Sequence, residues 1–337
     1  MATVEVLTVS FNWGESVYVP GDYYLEILGF TIYVYLTKRI TAYGRIMGGK
    51  RALGEFIENF IYGKVAEGAF KEFLKNKYGL EALTDVDVAD FILGEYLPDI
   101  IAIKKNDRYE TMKFWVEIKE VRRDQRWLLV PVSAVRARPY DAYVAVWVGL
   151  PDEHLAWLIK NIPDVGAKMS EEWRRRLAEI ESTVKNIPCK IVGYVMWEDV
   201  YRVMLAGEGN QNAKKELDKK YGLKGWYYFK GSEKLFDPDD RTWSGAQVGE
   251  NIGFVLKRLW GRADWDELYQ HISQNKRLVP PVSTAGKRKK LPEICNHLKD
   301  QDYRELSFKC LDHQLSIIEK NRGAVKRSKS WFEYPLS

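Results

Sequence analysis

Strand-length apolar segments alternate with helical periodicity through the middle of this chain, and this alternation constrains its fold more than any other feature. Between residues 51 and 77 apolar side chains recur at spacings of three and four, which predicts helix, and Gly63 marks a point where the helix divides in two. Ser170 precedes a second helical pattern over residues 171–184, where it is a typical N-cap. Strands are predicted at residues 97–103, 113–121, 128–132, 143–148 and 191–196. We therefore expect an α/β protein with a mixed β-sheet flanked by helices.

Composition favours a folded cytoplasmic protein. The chain has 337 residues, of which 46% are hydrophobic and 29% charged, and this balance is typical of globular rather than disordered proteins. No apolar run approaches the roughly 18 residues that span a bilayer, so we expect no membrane association. The first ten residues lack the charged-then-apolar pattern of a signal peptide, and three cysteines are too few for a disulfide framework.

Changes in composition divide the chain into four regions. Residues 1–50 are predicted to be a β-rich segment, because residues 4–36 are rich in Val, Ile, Tyr, Phe and Thr and predict a pair of strands in a hairpin. Residues 51–205 form the predicted core. The rest consists of an aromatic-rich insertion or recognition subdomain over residues 206–278 and a basic C-terminal region over residues 279–337.

The net charge of +5 is concentrated near the C-terminus. Residues 252–337 hold 17 basic and 10 acidic side chains, whereas the rest of the chain is nearly neutral. Such a segment is either a solvated tail or a contact for a polyanionic partner. The basic residues expected to contact phosphate groups are Lys287, Arg288, Lys289 and Lys290 and, from a glycine-bearing loop, Arg45, Lys50 and Arg51.

That loop, at residues 44–51, nearly matches a phosphate-binding P-loop. However, Arg51 stands where the motif needs Ser or Thr to hold Mg²⁺, and residues 39–43 are a poor buried strand. The loop is therefore predicted to contact a phosphate backbone rather than to bind a nucleotide for hydrolysis.

Two charged residues interrupt an apolar strand where charges are normally excluded. In residues 113–121, Glu117 and Lys119 lie on one face, while Ile118 between them points into the core. If residues 97–103 form the neighbouring strand, Asp99 approaches the same point. Two carboxylates and the backbone carbonyl of Ile118 make an all-oxygen site that suits Mg²⁺, with Lys119 positioning a water. The alternative is an edge strand with a solvated charged face.

These residues resemble the signature of the PD-(D/E)XK nuclease superfamily. Pro98-Asp99 and Glu117-x-Lys119 match its motif at the spacing of a hairpin, and residues 63–67 look like its first core helix, with Glu67 at the position of a further acidic residue. The resemblance covers about residues 50–205. It implies a restriction-endonuclease-like core, here with N-terminal strands and an appended C-terminal subdomain, and catalytic roles for Asp99, Glu117, Lys119 and Glu67.

The resemblance implies an Mg²⁺-dependent, sequence-specific endonuclease of double-stranded DNA, similar to type II restriction enzymes, with Mn²⁺ as an alternative metal. Such enzymes commonly act as homodimers on palindromic sites. Two alternatives remain open from the sequence. One is a repair or junction-processing nuclease of the same superfamily, and the other is a DNA-binding protein without catalytic activity.

A second cluster of candidate ligands lies near the C-terminus. Cys295, His297, Cys310 and His313 are residue types that bind Zn²⁺. Residues 291–299 have a helical pattern, and ligands two residues apart on a helix point to different sides. The cluster is therefore either a structural zinc site or a set of buried thiols and surface imidazoles.

Overall fold

The computed structural model describes residues 13–36, 53–87, 98–122, 125–137, 140–160, 169–231, 234–236, 243–247 and 249–279. The strands are β1 (Glu15–Pro20), β2 (Ala82–Leu83), β3 (Ala102–Lys105), β4 (Arg108–Thr111), β5 (Val116–Val121), β6 (Trp127–Pro131), β7 (Ala142–Val148), β8 (Asn186–Met196), β9 (Trp226–Phe229), β10 (Lys234–Phe236), β11 (Trp243–Gln247) and β12 (Asn251–Val255). The α-helices are α1 (Gly21–Leu36), α2 (Leu53–Tyr78), α3 (Val132–Ala137), α4 (His154–Lys160), α5 (Glu171–Lys185), α6 (Trp197–Gly207), α7 (Gln211–Tyr221), α8 (Leu256–Trp260) and α9 (Trp265–Gln274), and a 3₁₀ turn spans Asp85–Asp87.

A four-stranded sheet in the order β1-β8-β7-β5 lies at the centre of the described part of the chain. β5 and β7 are parallel, whereas β8 pairs antiparallel with both β7 and β1. A parallel pair needs a crossover connection, which here contains β6 and α3. The predicted α/β class with a mixed sheet is therefore confirmed.

Alternating side chains of β7 enter two apolar clusters on opposite faces of this sheet. Val144 and Val146 pack in a cluster with residues of α1 and α2, while Tyr143 and Ala145 pack in a second cluster with residues of α6, α7 and β12. Every residue of β7 is buried, as expected for a strand covered on both faces. The sheet is thus the middle layer between helices on one side and mixed elements on the other.

The N-terminal hairpin prediction is wrong for residues 21–36, which form α1 rather than a strand. β1 is the only part of the predicted pair that the described residues contain, and its end at Pro20 passes directly into the helix. The β-branched and aromatic residues of α1 favour strands in isolation, but Tyr24, Ile27 and Leu28 pack into the core on a helical face. Burial against α2 therefore outweighs the local strand preference.

The predicted division of the following helix at Gly63 is also wrong, since α2 runs without interruption from Leu53 to Tyr78. A single glycine costs a helix only about 1 kcal/mol relative to alanine. The residues flanking Gly63, among them Ile61 and Val65, are fully buried, and their packing favours one continuous helix.

Residues 97–103 and 113–121 do not pair as neighbouring strands. β3 pairs with β2 and β4, and the β3–β4 hairpin turns through Asn106 and Asp107, whose φ angles of 47° and 62° are typical of a two-residue hairpin turn. The strands predicted at 128–132, 143–148 and 191–196 are confirmed as β6, β7 and β8.

The helix predicted at residues 171–184 is confirmed as α5. The side chain of Ser170 accepts a hydrogen bond from the Trp173 amide at 3.4 Å, which is the capping contact expected from the sequence.

The segment after residue 206 packs against the central layers. β9 pairs with β12, and β12 pairs with β6, so that this segment shares a three-stranded sheet with the predicted core. Phe229 packs with Trp127 and Val255 in a small separate cluster. The division of the chain into four regions stays a prediction, because residues 1–12, 37–52 and 280–337 lie outside the described part. No helix in the described part is both long and apolar enough to cross a bilayer.

The last described segment is joined to the entrance of β5 by two polar side chains. The buried Asp141 carboxylate accepts hydrogen bonds from the amides of Trp115, Leu278 and Val279 at 2.7, 2.8 and 2.7 Å. Asn275 accepts from the Lys113 amide at 2.6 Å and donates to the Thr111 carbonyl at 2.9 Å. The connection between β4 and β5 is therefore held by Asp141 and Asn275, which come later in the chain.

Replacing Asp141 with asparagine should lower the free energy of unfolding by about 3 kcal/mol, because one acceptor oxygen becomes an NH₂ group that faces backbone donors in a buried site. Chemical denaturation of Asp141→Asn and wild type would measure the loss. Asp107→Asn makes the same change at an exposed turn position and should change the free energy by less than about 0.5 kcal/mol. Equal effects of the two substitutions would contradict the structural role given to Asp141.

Candidate active site

β5 places Glu117 and Lys119 together on one side of the strand, as the alternation of side chains predicts. Ile118 is 7% exposed and joins the core, whereas the side chains of Glu117 and Lys119 are 17% and 31% exposed. The Lys119 ammonium forms an ion pair with the Glu117 carboxylate. The strand therefore presents a carboxylate and an amine at a partly open surface.

Asp99 reaches this point from the loop that leads into β3. Its Oδ2 atom accepts a hydrogen bond from the Ile118 amide at 2.5 Å. The following residues Ile100 and Ile101 are buried, which holds the loop against the protein. The carboxylate thus occupies a hydrogen-bonding position on the side of β5 away from β7, and the expected convergence occurs without the strand pairing on which it was predicted.

The environment of Asp99 resists ionisation. Burial and the negative charge of Glu117 raise the pKa of Asp99 from 3.8 to about 7, while the charges of Lys64 and Lys119 and the Ile118 amide act in the opposite direction. Two ionised carboxylates close together repel each other, and a bound cation offsets this repulsion.

Glu67 lies in a buried cluster beside this pair. Lys64 donates to both oxygens of Glu67, at 2.8 and 2.9 Å, and to Oδ2 of Asp85 at 2.8 Å. Burial raises the pKa of Glu67, the Lys64 charge lowers it, and the charges of Asp99 and Asp85 raise it further. The predicted metal-site carboxylate of α2 is therefore close to Asp99 but is held by a lysine of its own helix.

The donor chemistry of Asp99 and Glu117 fits a hard divalent cation. Carboxylate oxygens are the ligands that Mg²⁺ prefers, and the raised pKa of Asp99 reflects its burial and the neighbouring charge of Glu117. Within the described ranges no group of three or more His, Cys, Asp or Glu side chains is arranged to hold a metal ion. Mg²⁺ would therefore be held by two side-chain carboxylates, with the predicted Ile118 carbonyl and water completing its coordination.

Two cavities differ in their relation to this site. A cleft of about 100 Å³ begins at Lys119 and Glu120 and continues along β6. A groove of about 340 Å³ lies between α6 and α7, with Trp197 and Tyr201 among its lining residues, and no sequence-predicted site residue lines it. The small cleft leaves Lys119 accessible from one side of β5.

The structure brings together the four predicted catalytic residues and adds two residues that sequence reasoning missed. Lys64 and Asp85 connect Glu67 to the loop after α2. The spacing of Lys64 and Glu67 by three residues on one helix was a detectable signal, whereas nothing local marked Asp85. The predicted DNA contacts at Arg45, Lys50, Arg51 and residues 287–290, and the predicted zinc ligands Cys295, His297, Cys310 and His313, lie outside the described residues.

Comparison of the chain with protein-family models, with curated proteins and with solved structures found no match.

Because the folded state holds a proton on Asp99 more tightly than the unfolded chain does, stability without metal should fall as the pH rises through about 7. The contribution of Asp99 is fully present below its ordinary pKa of 3.8. We expect the free energy of unfolding to drop by more than about 1.4 kcal/mol between pH 5 and pH 8 in chelator.

Urea denaturation at the two pH values measures this drop. Asp99→Asn keeps an acceptor for the Ile118 amide but cannot ionise, so its stability should depend less on pH than that of wild type. A wild-type protein whose stability rises over this range, or a variant with an unchanged slope, would contradict the assignment.

Proposed function

We propose that this protein is an Mg²⁺-dependent endonuclease that hydrolyses phosphodiester bonds of double-stranded DNA at specific sequences. The observation that carries the proposal is the hydrogen bond between Asp99 and the Ile118 amide, because it brings the first acidic residue of the motif to the strand that holds Glu117 and Lys119. An acidic pair with a neighbouring amine suits metal-assisted phosphodiester hydrolysis, because the carboxylates can hold the metal and the amine can position the water.

The topology around these residues also favours the proposal. A long helix, α2, precedes the loop of Asp99 and the β3–β4 hairpin, and β5 then pairs in parallel with β7. This order of elements is compatible with a PD-(D/E)XK core. The proposed core corresponds to residues 51–205, and the proposed functional unit is a homodimer on a two-fold symmetric site.

Each residue of the motif has a separate role in the proposed reaction. Asp99 and Glu117 hold the metal, and Lys119 orients the attacking water and stabilises negative charge on the phosphate. Bound Mg²⁺ would neutralise phosphate charge and lower the pKa of water. The water oxygen forms a bond to phosphorus in line with the leaving group as the water loses a proton, the bond to the 3′ oxygen breaks, and the 3′ oxygen takes up a proton. The products carry a 5′-phosphate and a 3′-hydroxyl.

Incubation with several unmodified plasmid and phage DNAs in Mg²⁺ should yield discrete fragments, and chelator should abolish them. Asp99→Asn, Glu117→Gln and Lys119→Met should each lower the cleavage rate by at least about 100-fold, because each removes a group that acts on the reacting phosphate. Gel electrophoresis of the products measures both the rate and the pattern.

The matched control is the pair Lys105 and Glu110, an amine and a carboxylate 3.7 Å apart on the β3–β4 hairpin. Lys105→Met and Glu110→Gln should cleave at the wild-type rate. A metal-dependent smear in place of fragments would favour a repair or junction nuclease. DNA that binds but remains intact with every metal would contradict catalysis.

A further inference from the structure

The cleft beside Lys119 continues to one end of the three-stranded sheet β6-β12-β9. Its lining includes Gln125 and Trp127, which lie at the start of β6. Trp127 pairs with Val255, the last residue of β12, and β9 begins opposite the residue before Val255. The start of β6, the end of β12 and the start of β9 therefore meet at the same end of this sheet.

Backbone hydrogen bonds hold the segments that flank these strands next to one another. The Val255 amide donates to the Gly225 carbonyl at 3.0 Å, and the Leu256 amide donates to the Arg126 carbonyl at 2.9 Å. The loop before β6, the turn before β9 and the short helix α8 are thus joined into one surface. We call this surface, formed by residues 125–126, 222–225 and 255–262, the cleft end.

The cleft end is strongly basic. Its segments contain five basic residues and no acidic one, namely Arg126, Lys224, Lys257, Arg258 and Arg262. Arg126 is half-buried and the other four are exposed, and neither Lys257 nor Arg258 forms an ion pair within the described part of the chain. The Asp218 carboxylate also reaches this end, where it accepts a hydrogen bond from the indole of Trp226 at 2.9 Å. Such an excess of positive charge attracts a polyanion.

The proposed catalytic side chains face the same side of the central sheet as this surface. Glu117, Lys119 and Val121 alternate to one face of β5. Val121 packs in the same apolar cluster as Leu256 and Leu259 of α8. A ligand that lies over Lys119 on this face can therefore extend along the cleft to the cleft end without crossing the sheet.

The size of the cleft end suits a DNA backbone. Neighbouring strands lie about 4.8 Å apart, so β6 and β9 are separated by about 10 Å. One strand of a DNA duplex advances about 3.4 Å along the helix axis for each phosphate. The cleft end therefore spans about three successive phosphates of one DNA strand.

From these observations we propose that the cleft end binds the DNA backbone, with Lys257 and Arg258 contacting phosphates that lie beyond the one at Lys119. This inference rests on the proposed function and adds to it a surface that holds the substrate away from the reacting bond. Phosphate contacts position a duplex but carry no sequence information. The cleft end therefore contributes affinity for DNA of any sequence.

The test combines Lys257→Gln with Arg258→Gln, which removes two charges with little change in helix propensity. Fluorescence anisotropy of labelled DNA duplexes of about 30 base pairs, or three helical turns, measures binding of the full-length protein at several salt concentrations. Chelator is present throughout, because the proposed contacts do not involve the metal. The double variant should bind at least about fivefold more weakly than wild type, and its plot of log Kd against log salt should be less steep by about 2.

The matched control is the pair Arg174 and Arg175, two adjacent exposed cations on α5. Ile180 of the same helix packs against the apolar cluster on the other face of the central sheet. Arg174→Gln with Arg175→Gln therefore makes the same change in net charge away from the cleft end, and this variant should bind DNA as wild type does.

A second pair from the cleft end, Lys224→Gln with Arg262→Gln, should show the same loss and keeps the test valid if the first variant folds poorly. Wild-type affinity and salt slope in both cleft-end variants, or an equal loss in the α5 control, would overturn the proposed surface. So would a loss confined to one DNA sequence, since phosphate contacts act on all sequences alike. None of these results bears on the nuclease proposal, which the appearance of metal-dependent fragments tests separately.

Discussion

The hydrogen bond from the Ile118 amide to the Asp99 carboxylate is the contact on which the proposed site depends. This hydrogen bond, rather than pairing between neighbouring strands, brings the loop of Asp99 to β5. It places the Asp99 carboxylate beside Glu117, where burial and the Glu117 charge raise the pKa of Asp99. A negative charge held there is unfavourable unless a cation or a proton accompanies it. A bound Mg²⁺ would offset the negative charges of Asp99 and Glu117 and so favour the ionised form of Asp99.

Three sets of contacts position the residues that make this hydrogen bond. β5 is positioned by its parallel pairing with β7, whose residues are buried on both faces. α2 packs against β5 and contributes Lys64 and Glu67 from one face. The side chains of Asp141 and Asn275 accept hydrogen bonds from backbone amides in the connection that leads into β5. The site is therefore built from segments that are far apart in the sequence.

The sequence predicts the parts of this arrangement that depend on local pattern. The placement of Ile118 inside and of Glu117 and Lys119 outside follows from side-chain alternation alone. α1 was missed because its β-branched and aromatic residues favour strands, and only packing against α2 makes it helical. Asp85 was missed because its contact with Lys64 joins residues 21 positions apart through a short 3₁₀ turn, and no periodicity marks such a contact. Long-range electrostatics, unlike alternation, has no signature in a single sequence.

β5 lies at the end of the strand order in the central sheet, as far as the described residues show. An outermost strand with open backbone groups is a template for unwanted association with other chains, and charged side chains on such a strand oppose this association. Asp99 caps one amide, and Glu117 and Lys119 keep charge beside it. The groups proposed for DNA hydrolysis would thus also oppose edge-to-edge pairing of β5 with another chain, and Asp99→Ala would impair solubility together with catalysis.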